Sequence, residues 1–301
     1  MIKIKITNLE DIKNEYLSKL SKKKFNRKKG NGIHNHWIDN RNRIISATPI
    51  DFQNIVNEFN AQNQSGFDKF NIYMEGQYEE LFYNQKVGYW LAEKLDIRTC
   101  PYCNRHYTFT IEKKKTKAAD EKIIKPQFDH FYPKSKHPYL ALSFYNLIPS
   151  CPTCNKVKRD EEISINPYWE DFQENNCKFV LKDKNISRPA IIDKNNIEVG
   201  FNFEREKNIK RAKHKCEDNI DVFGLRELYN KHTDYVEEII DKAQAYNSTY
   251  YDSLIQSFRG LGATPEQIDR YVWGNYTEID EQFKRPLSKL TRDVLEQLGI
   301  K

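Results

Sequence analysis

The stretch FDHFYPKS, residues 128–135, sets a carboxylate, Asp129, directly before a histidine, His130, among aromatic residues and lysine. Two cysteine pairs bracket it, CPYC at 100–103 and CPTC at 151–154. An isolated Asp–His pair is common on protein surfaces and needs no explanation. The bracketing changes its weight, because the pair then lies inside a segment whose ends carry soft metal ligands at a fixed spacing.

Each Cys-x-x-Cys pair can form a tight turn with both thiolates directed at one point. Two such turns complete a tetrahedral four-cysteine zinc site. Cys100, Cys103, Cys151 and Cys154 would fill every coordination position, so a zinc ion here is expected to be structural. Four reduced cysteines of no special role are the alternative, and the doubled spacing argues against it. Cys177 and Cys216 share no such pattern and read as buried small apolar residues.

Moving outward, 301 residues allow one large domain or two modest ones. Charged residues make up 31% of the chain and the mean hydropathy is -0.84, the profile of a polar, soluble protein. No apolar run is long enough to span a bilayer. The opening MIKIKITNLEDIKNEYL lacks the apolar core of a signal peptide, so a cytoplasmic location is expected. In that reducing compartment, paired cysteines read as metal ligands before disulfides. Charge is uneven: residues 1–45 hold 12 Lys and Arg against 4 Asp and Glu, and the remainder holds 37 against 39. The excess centres on SKKKFNRKKGNG (21–32), with Lys22, Lys23, Lys24, Arg27, Lys28 and Lys29. Such a block reads either as an arm that follows phosphates or as a solvated, partly disordered segment.

The pattern predicts an α+β chain. After the basic N-terminal region, 1–45, residues 46–97 read as helical: TPIDFQNIVNEFN opens with a Thr cap and an early Pro, and Val87, Trp90, Leu91 and Leu95 share one face. Residues 98–175 hold the cysteine-bracketed core, in which KKKTKAADEKIIK (113–125) is a charged insert, either a loop or an added binding element. Residues 176–204 alternate β-prone runs with Asn and Asp, predicting short strands. Helices follow to 301: YVEEIIDKAQAYNSTYYDSLIQSF is long and amphipathic, and TPEQIDRYV opens with helix-start residues.

Within 98–160 a larger signature forms: C-x2-C, then Asp129-His130-x2-Pro, then Asn146 in SFYNLIPSC, then C-x2-C followed at once by Asn155 in CNKVK. It resembles the zinc-knuckle subgroup of the HNH endonucleases, with Asn155 where that family has His or Asn. The resemblance implies a small ββα-metal core stapled by the four-cysteine zinc site within a mainly helical chain. A β-hairpin would present Asp129 and His130, and the helix after Cys154 would present Asn155. It implies metal-dependent hydrolysis of phosphodiester bonds, in DNA more than RNA. His130 would be the general base, for which a side chain titrating near neutral pH is suited. Asp129 and Asn155 would hold one divalent ion, Mg2+ or Mn2+, through oxygen, and Asn146 would brace the loop carrying His130. Lys134, Lys136, Lys156, Lys158 and Arg159 lie close by as candidate phosphate contacts, or as ordinary solvated charges. His137 and His106 are nearby alternatives; His34 and His36 fall outside the site.

The flanking motifs INPYWEDF (165–172), FGLRELYNKH (223–232) and FKRPLSKLTRDVLEQLG (283–299) are similar in order to the HNH nuclease subunit of Septu-type antiphage systems, including relatives encoded beside retrons. That resemblance implies an ATPase partner of SMC or ABC type. The long basic N-terminal region has no match in that group. Two other readings remain: a zinc-stabilised nucleic-acid-binding or scaffold subunit with an inactive site, and a stand-alone restriction-type nuclease. Nothing in the sequence identifies the recognition helix that the second would need.

Overall fold

The computed structural model describes residues 1–113, 122–182, 197–203, 209–246 and 248–301, in an α+β arrangement of helices and three two-stranded antiparallel sheets. No helix among the described residues is long and apolar enough to cross a membrane. The chain divides into two compact units. The hairpin unit comprises Lys3–Ile97 and Thr108–Trp169, and the C-terminal unit comprises Met1–Ile2, Arg98–Tyr107 and Glu170–Lys301.

Helices α1 (Leu9–Ser21), α2 (Gly32–Ser46), α3 (Phe52–Asn60), α4 (Phe67–Glu79) and α5 (Val87–Leu95) open the hairpin unit. Their apolar spacing explains their placement. Ile12, Tyr16 and Leu20 recur every four residues on α1, and Phe52, Ile55, Val56 and Phe59 form one face of α3; all are buried. Residues 1–45 are therefore not a separate basic arm. The basic run Lys22–Lys29 lies between α1 and α2, and α2 buries Ile33, Trp37, Ile38, Ile44 and Ile45. Helix α3 begins later than its sequence suggests. Asp51 accepts hydrogen bonds from the Thr48 backbone N–H and hydroxyl, closing a turn through Pro49 before the helix starts. On α5, Val87, Leu91 and Leu95 are buried, whereas Trp90 is half-buried with the Lys19 ammonium 4.7 Å from its ring centre.

Between α4 and α5, Glu80–Asn84 forms a π-helical turn closed by the Gln85 N–H to the Glu80 carbonyl at 2.9 Å. Strands β1 (Ile111–Lys113) and β2 (Lys122–Ile124) pair around the charged insert, whose residues 114–121 lie outside the described set. Strands β3 (Gln127–His130) and β4 (Leu147–Ser150) pair next, and α6 (Pro152–Lys158) follows. The connection 131–146 is tied to the first helices by three buried hydrogen bonds. Tyr16 Oη donates to the Leu142 carbonyl (2.9 Å), Trp37 Nε1 to Tyr139 (3.0 Å) and Ser143 Oγ to the Ile44 carbonyl (2.8 Å).

In the C-terminal unit, β5 (Cys177–Leu181) pairs with β6 (Val199–Phe203), so strands form as expected on both sides of residues 183–196, which lie outside the described set. Helices α7 (Ile209–Val222), α8 (Leu225–Tyr229), α9 (Thr233–Ala245), α10 (Ser248–Gly260), α11 (Pro265–Trp273) and α12 (Ser288–Gln297) complete it. The long amphipathic stretch is two helices, α9 and α10, rather than one. Helix α11 starts with a reciprocal capping box between Thr264 and Gln267, followed by Pro265. Helix α12 closes the open edge of β5 with side chains: Asp293 accepts from the Phe179 N–H (2.8 Å), and Gln297 exchanges two hydrogen bonds with the Leu181 backbone.

Candidate functional site

The two cysteine turns share a local chemistry. In the first, the Asn104 N–H returns to the Cys100 carbonyl (2.8 Å) and the Arg105 N–H donates to Cys103 Sγ (3.4 Å). In the second, Cys151 caps α6: its Sγ accepts the Cys154 N–H at 3.4 Å, with Pro152 in the first turn, where a missing N–H costs nothing. The four sulfurs, of Cys100, Cys103, Cys151 and Cys154, lie within 4.8 Å of one another and all four residues are buried. A tetrahedral zinc ion with bonds of about 2.3 Å needs sulfurs roughly 3.8 Å apart. Four soft donors this close, with amide N–H groups on two of them, fit a structural zinc ion with no open position.

The C-terminal motifs build the surroundings of the first turn. In FGLRELYNKH, Phe223 stacks on Tyr102 with ring centres 4.5 Å apart, and Tyr229 Oη donates to the Cys103 carbonyl at 2.6 Å. In FKRPLSKLTRDVLEQLG, the Leu287 N–H donates to the Asn104 carbonyl and the Lys289 N–H to Asn104 Oδ1 (2.6 and 3.1 Å). Asn104 has a φ of 47°, a left-handed conformation that asparagine tolerates better than most residues. These contacts account for several residues of both motifs by packing.

The Asp-His stretch forms the end of β3. Asp129 stands opposite Ile148 and His130 opposite Leu147 in the β3–β4 pair. With α6 following β4, the local order is strand, strand, helix. Asp129 and His130 are buried, at 3% and 8% exposure. They line a cleft of about 270 Å³ together with Tyr78, Tyr83, Phe128, Lys134, Asn155 and Arg159. Asp129, His130 and Asn155 thus share one cavity although 25 residues separate the last two in sequence.

His130 Nε2 lies 3.0 Å from the Ala141 carbonyl oxygen, which can only accept. Nε2 therefore carries the proton and Nδ1 keeps its lone pair. Burial pulls the His130 pKa from 6.5 down to about 3, with the Ala141 carbonyl pulling the other way and Lys134 and Lys158 adding to the depression. The sequence reading expects a histidine titrating near neutrality; desolvation instead keeps this one neutral across the physiological range.

Asn146 is fully buried and makes a dense set of contacts with the connection after His130. Its Oδ1 accepts from the Tyr132 N–H (2.7 Å), and its Nδ2 donates to the Tyr132 and Leu140 carbonyls (3.1 and 3.0 Å). Its own carbonyl accepts from Phe131 (2.9 Å). Asn155 Nδ2 donates to Gln127 Oε1 (2.7 Å), joining α6 to the start of β3.

The candidate basic contacts separate by environment. Lys134 and Arg159 line the cleft; Lys134 also meets Glu75 Oε1 at 2.9 Å and lies 5.4 Å from the Tyr78 ring centre. Lys136 and Lys156 are exposed. Lys158 is not a surface contact: it is fully buried, its Nζ donates to the His130 carbonyl (2.7 Å), and it sits 3.4 Å from Asp129 Oδ2. Of the N-terminal group, Lys22, Lys24, Arg27, Lys28 and Lys29 are exposed and Lys23 is half-buried, with Arg27 ion-paired to Asp39. None of these six lines the cleft. The other histidines have partners elsewhere: His137 with Tyr139 and Glu162, His36 with Glu58, and His34 with the Asn26 carbonyl. His106 belongs to the first cysteine turn, where its carbonyl accepts from the Cys100 N–H.

Sequence reasoning missed the aromatic wall. Tyr78 lies edge-on to the His130 ring with centres 4.8 Å apart and stacks on Phe82. Lys125 Nζ lies 5.5 Å from the Tyr83 ring centre and 5.8 Å from that of Phe128. It also missed Asp160, which lines the cleft and accepts from Ser135 Oγ at 2.7 Å. The first two tyrosines come from a helix and a π-turn about 50 residues upstream, and no local pattern points to them.

Comparison with known proteins adds no assignment. No family model, curated protein or solved structure matches this chain.

Proposed function

We propose that this protein is a metal-dependent endonuclease of the HNH type that hydrolyses phosphodiester bonds, with DNA the preferred substrate. The observation that carries the reading is the convergence of Asp129, His130 and Asn155 on one cleft beside a strand–strand–helix element. Asp129 and Asn155 would hold a divalent ion, since a carboxylate and an amide oxygen suit Mg2+ or Mn2+. That ion, when bound, supplies charge neutralisation at the scissile phosphate. His130 Nδ1 takes the proton of the attacking water as its oxygen bonds to phosphorus and the bond to the leaving sugar oxygen breaks. Burial makes His130 a weak base in the resting protein, and the anionic charge of a bound phosphate would act to raise it. Lys134 and Arg159, at the cleft, would take phosphate oxygens. The four-cysteine site would hold zinc as a structural ion.

The proposed setting is antiphage defence with an ATPase partner, on the resemblance of the flanking motifs alone. The test is plasmid nicking by the purified chain with Mg2+ or Mn2+, beside an EDTA control and His130→Ala. Nicking that needs both metal and His130 supports the reading; nicking that persists in the variant sinks the assignment of the base. Silence of the chain alone, followed by cleavage when the ATPase is added, would support the partnered form.

A further inference from the structure

Lys158 ends α6, one helical turn after Asn155, and is completely buried. A buried ammonium is costly unless it is paired and hydrogen-bonded. Both partners here belong to the Asp-His dipeptide: the His130 carbonyl at 2.7 Å and Asp129 Oδ2 at 3.4 Å. Positions three apart on a helix share a face, so one face of α6 directs Asn155 to Gln127 at the start of β3 and Lys158 to its end. Resting on the nuclease reading, we propose that Lys158 is a positioning residue, clamping Asp129 and His130 against α6 and holding the Asp129 carboxylate in competition with the divalent ion.

An ion bound at Asp129 would share the carboxylate with a positive charge a few ångströms away on its buried side. Repulsion between like charges there is far stronger than in water. The site accepts weaker ion binding and keeps ligand and base geometry set before ion or substrate arrives.

The test compares the full chain with Lys158→Met, reading Mn2+ binding by thermal unfolding and catalysis by plasmid nicking at saturating Mn2+. Removing the competing charge should lower the half-saturating Mn2+ concentration about tenfold, a modest share of the interaction of charges at this range. At saturation, kcat should fall at least about tenfold from lost geometry, with KM for plasmid and zinc content unchanged. A lysine that merely fills space would leave Mn2+ half-saturation and nicking unchanged, and one that only holds the fold would weaken both together. Because Lys158→Met leaves Asp129 buried without its ammonium, the pair Asp129→Asn with Lys158→Met serves as the folding control. It should melt near wild type in EDTA and show no Mn2+ response. A half-saturation unchanged or raised in Lys158→Met, or a double variant that fails to fold, overturns this inference and leaves the nuclease reading standing. No Mn2+ response in the wild type, together with no nicking even when the ATPase is added, overturns both.

Discussion

Each unit of the molecule buries a lysine against an aspartate, and the two pairs differ in every other respect. Lys289 and Asp293 are four residues apart on α12, 2.8 Å from each other and essentially unexposed. Asp293 also accepts the Phe179 N–H, and the Lys289 N–H holds Asn104. That pair is local, tight and enclosed by packing. Lys158 and Asp129 come from different elements, lie 3.4 Å apart, and the aspartate opens onto a cleft. A buried pair at hydrogen-bonding distance, whose carboxylate also accepts a strand N–H, belongs to the architecture. A looser pair in a cleft wall places its carboxylate where a ligand could reach it.

The harshest way to probe this contrast removes the cysteine site. Cys154→Ser should reduce zinc from about one ion per chain to near none, with a fall in Tm on the order of 10 °C, because metal binding is folding free energy in such sites. Metal analysis and a thermal melt check it; full zinc content in the variant would break the four-cysteine assignment. His130→Ala should come next, lowering nicking by about 10²–10⁴-fold, the usual range for a positioned base.

The two aspartates then separate function from stability. Asp293→Ala should cost about 3–5 kcal/mol in a denaturant melt, since it strands a buried cation, while nicking per folded molecule stays intact. Asp129→Ala should cost less, because Lys158 keeps the His130 carbonyl, and should abolish nicking. If both variants lose stability equally and Asp129→Ala still nicks, the contrast between the pairs collapses.

Acid provides a finer probe. Burial holds His130 near 3 against an ordinary 6.5, so between those values the unfolded chain takes up a proton that the folded chain does not. Stability from this residue is therefore lost as pH falls through that window. His130→Asn removes the dependence, so wild-type stability minus variant stability should grow from pH 4 to pH 7. Zinc ligation titrates alike in both and cancels. A flat difference would mean the ring is better solvated than its burial implies. The smallest effect belongs to Thr264→Ala, which breaks the α11 capping box at about 1 kcal/mol and leaves nicking unchanged.

How much of this was legible beforehand depends on whether the signal was local. The Thr264-Pro265 start of α11 and the apolar face of α3 could be read because capping and helical periodicity act within a few residues. The strands at 177–181 and 199–203 were legible for the same reason. The α9–α10 break was not visible, because the amphipathic pattern runs across it. Tyr78 and Tyr83 were invisible as cleft residues, since an aromatic on a helix reads as core until the packing shows where it points.

By itself the sequence determined the four-cysteine spacing, the order of Asp129, His130, Asn146 and Asn155, and the α+β character of the chain. These rest on residue type and spacing, which are properties of the string. The tertiary structure alone decided which lysine is buried, that the basic N-terminal run joins two packed helices, and that His130 is neutral. Burial and charge pairing depend on residues far apart in the chain, and solvation is settled only once they meet.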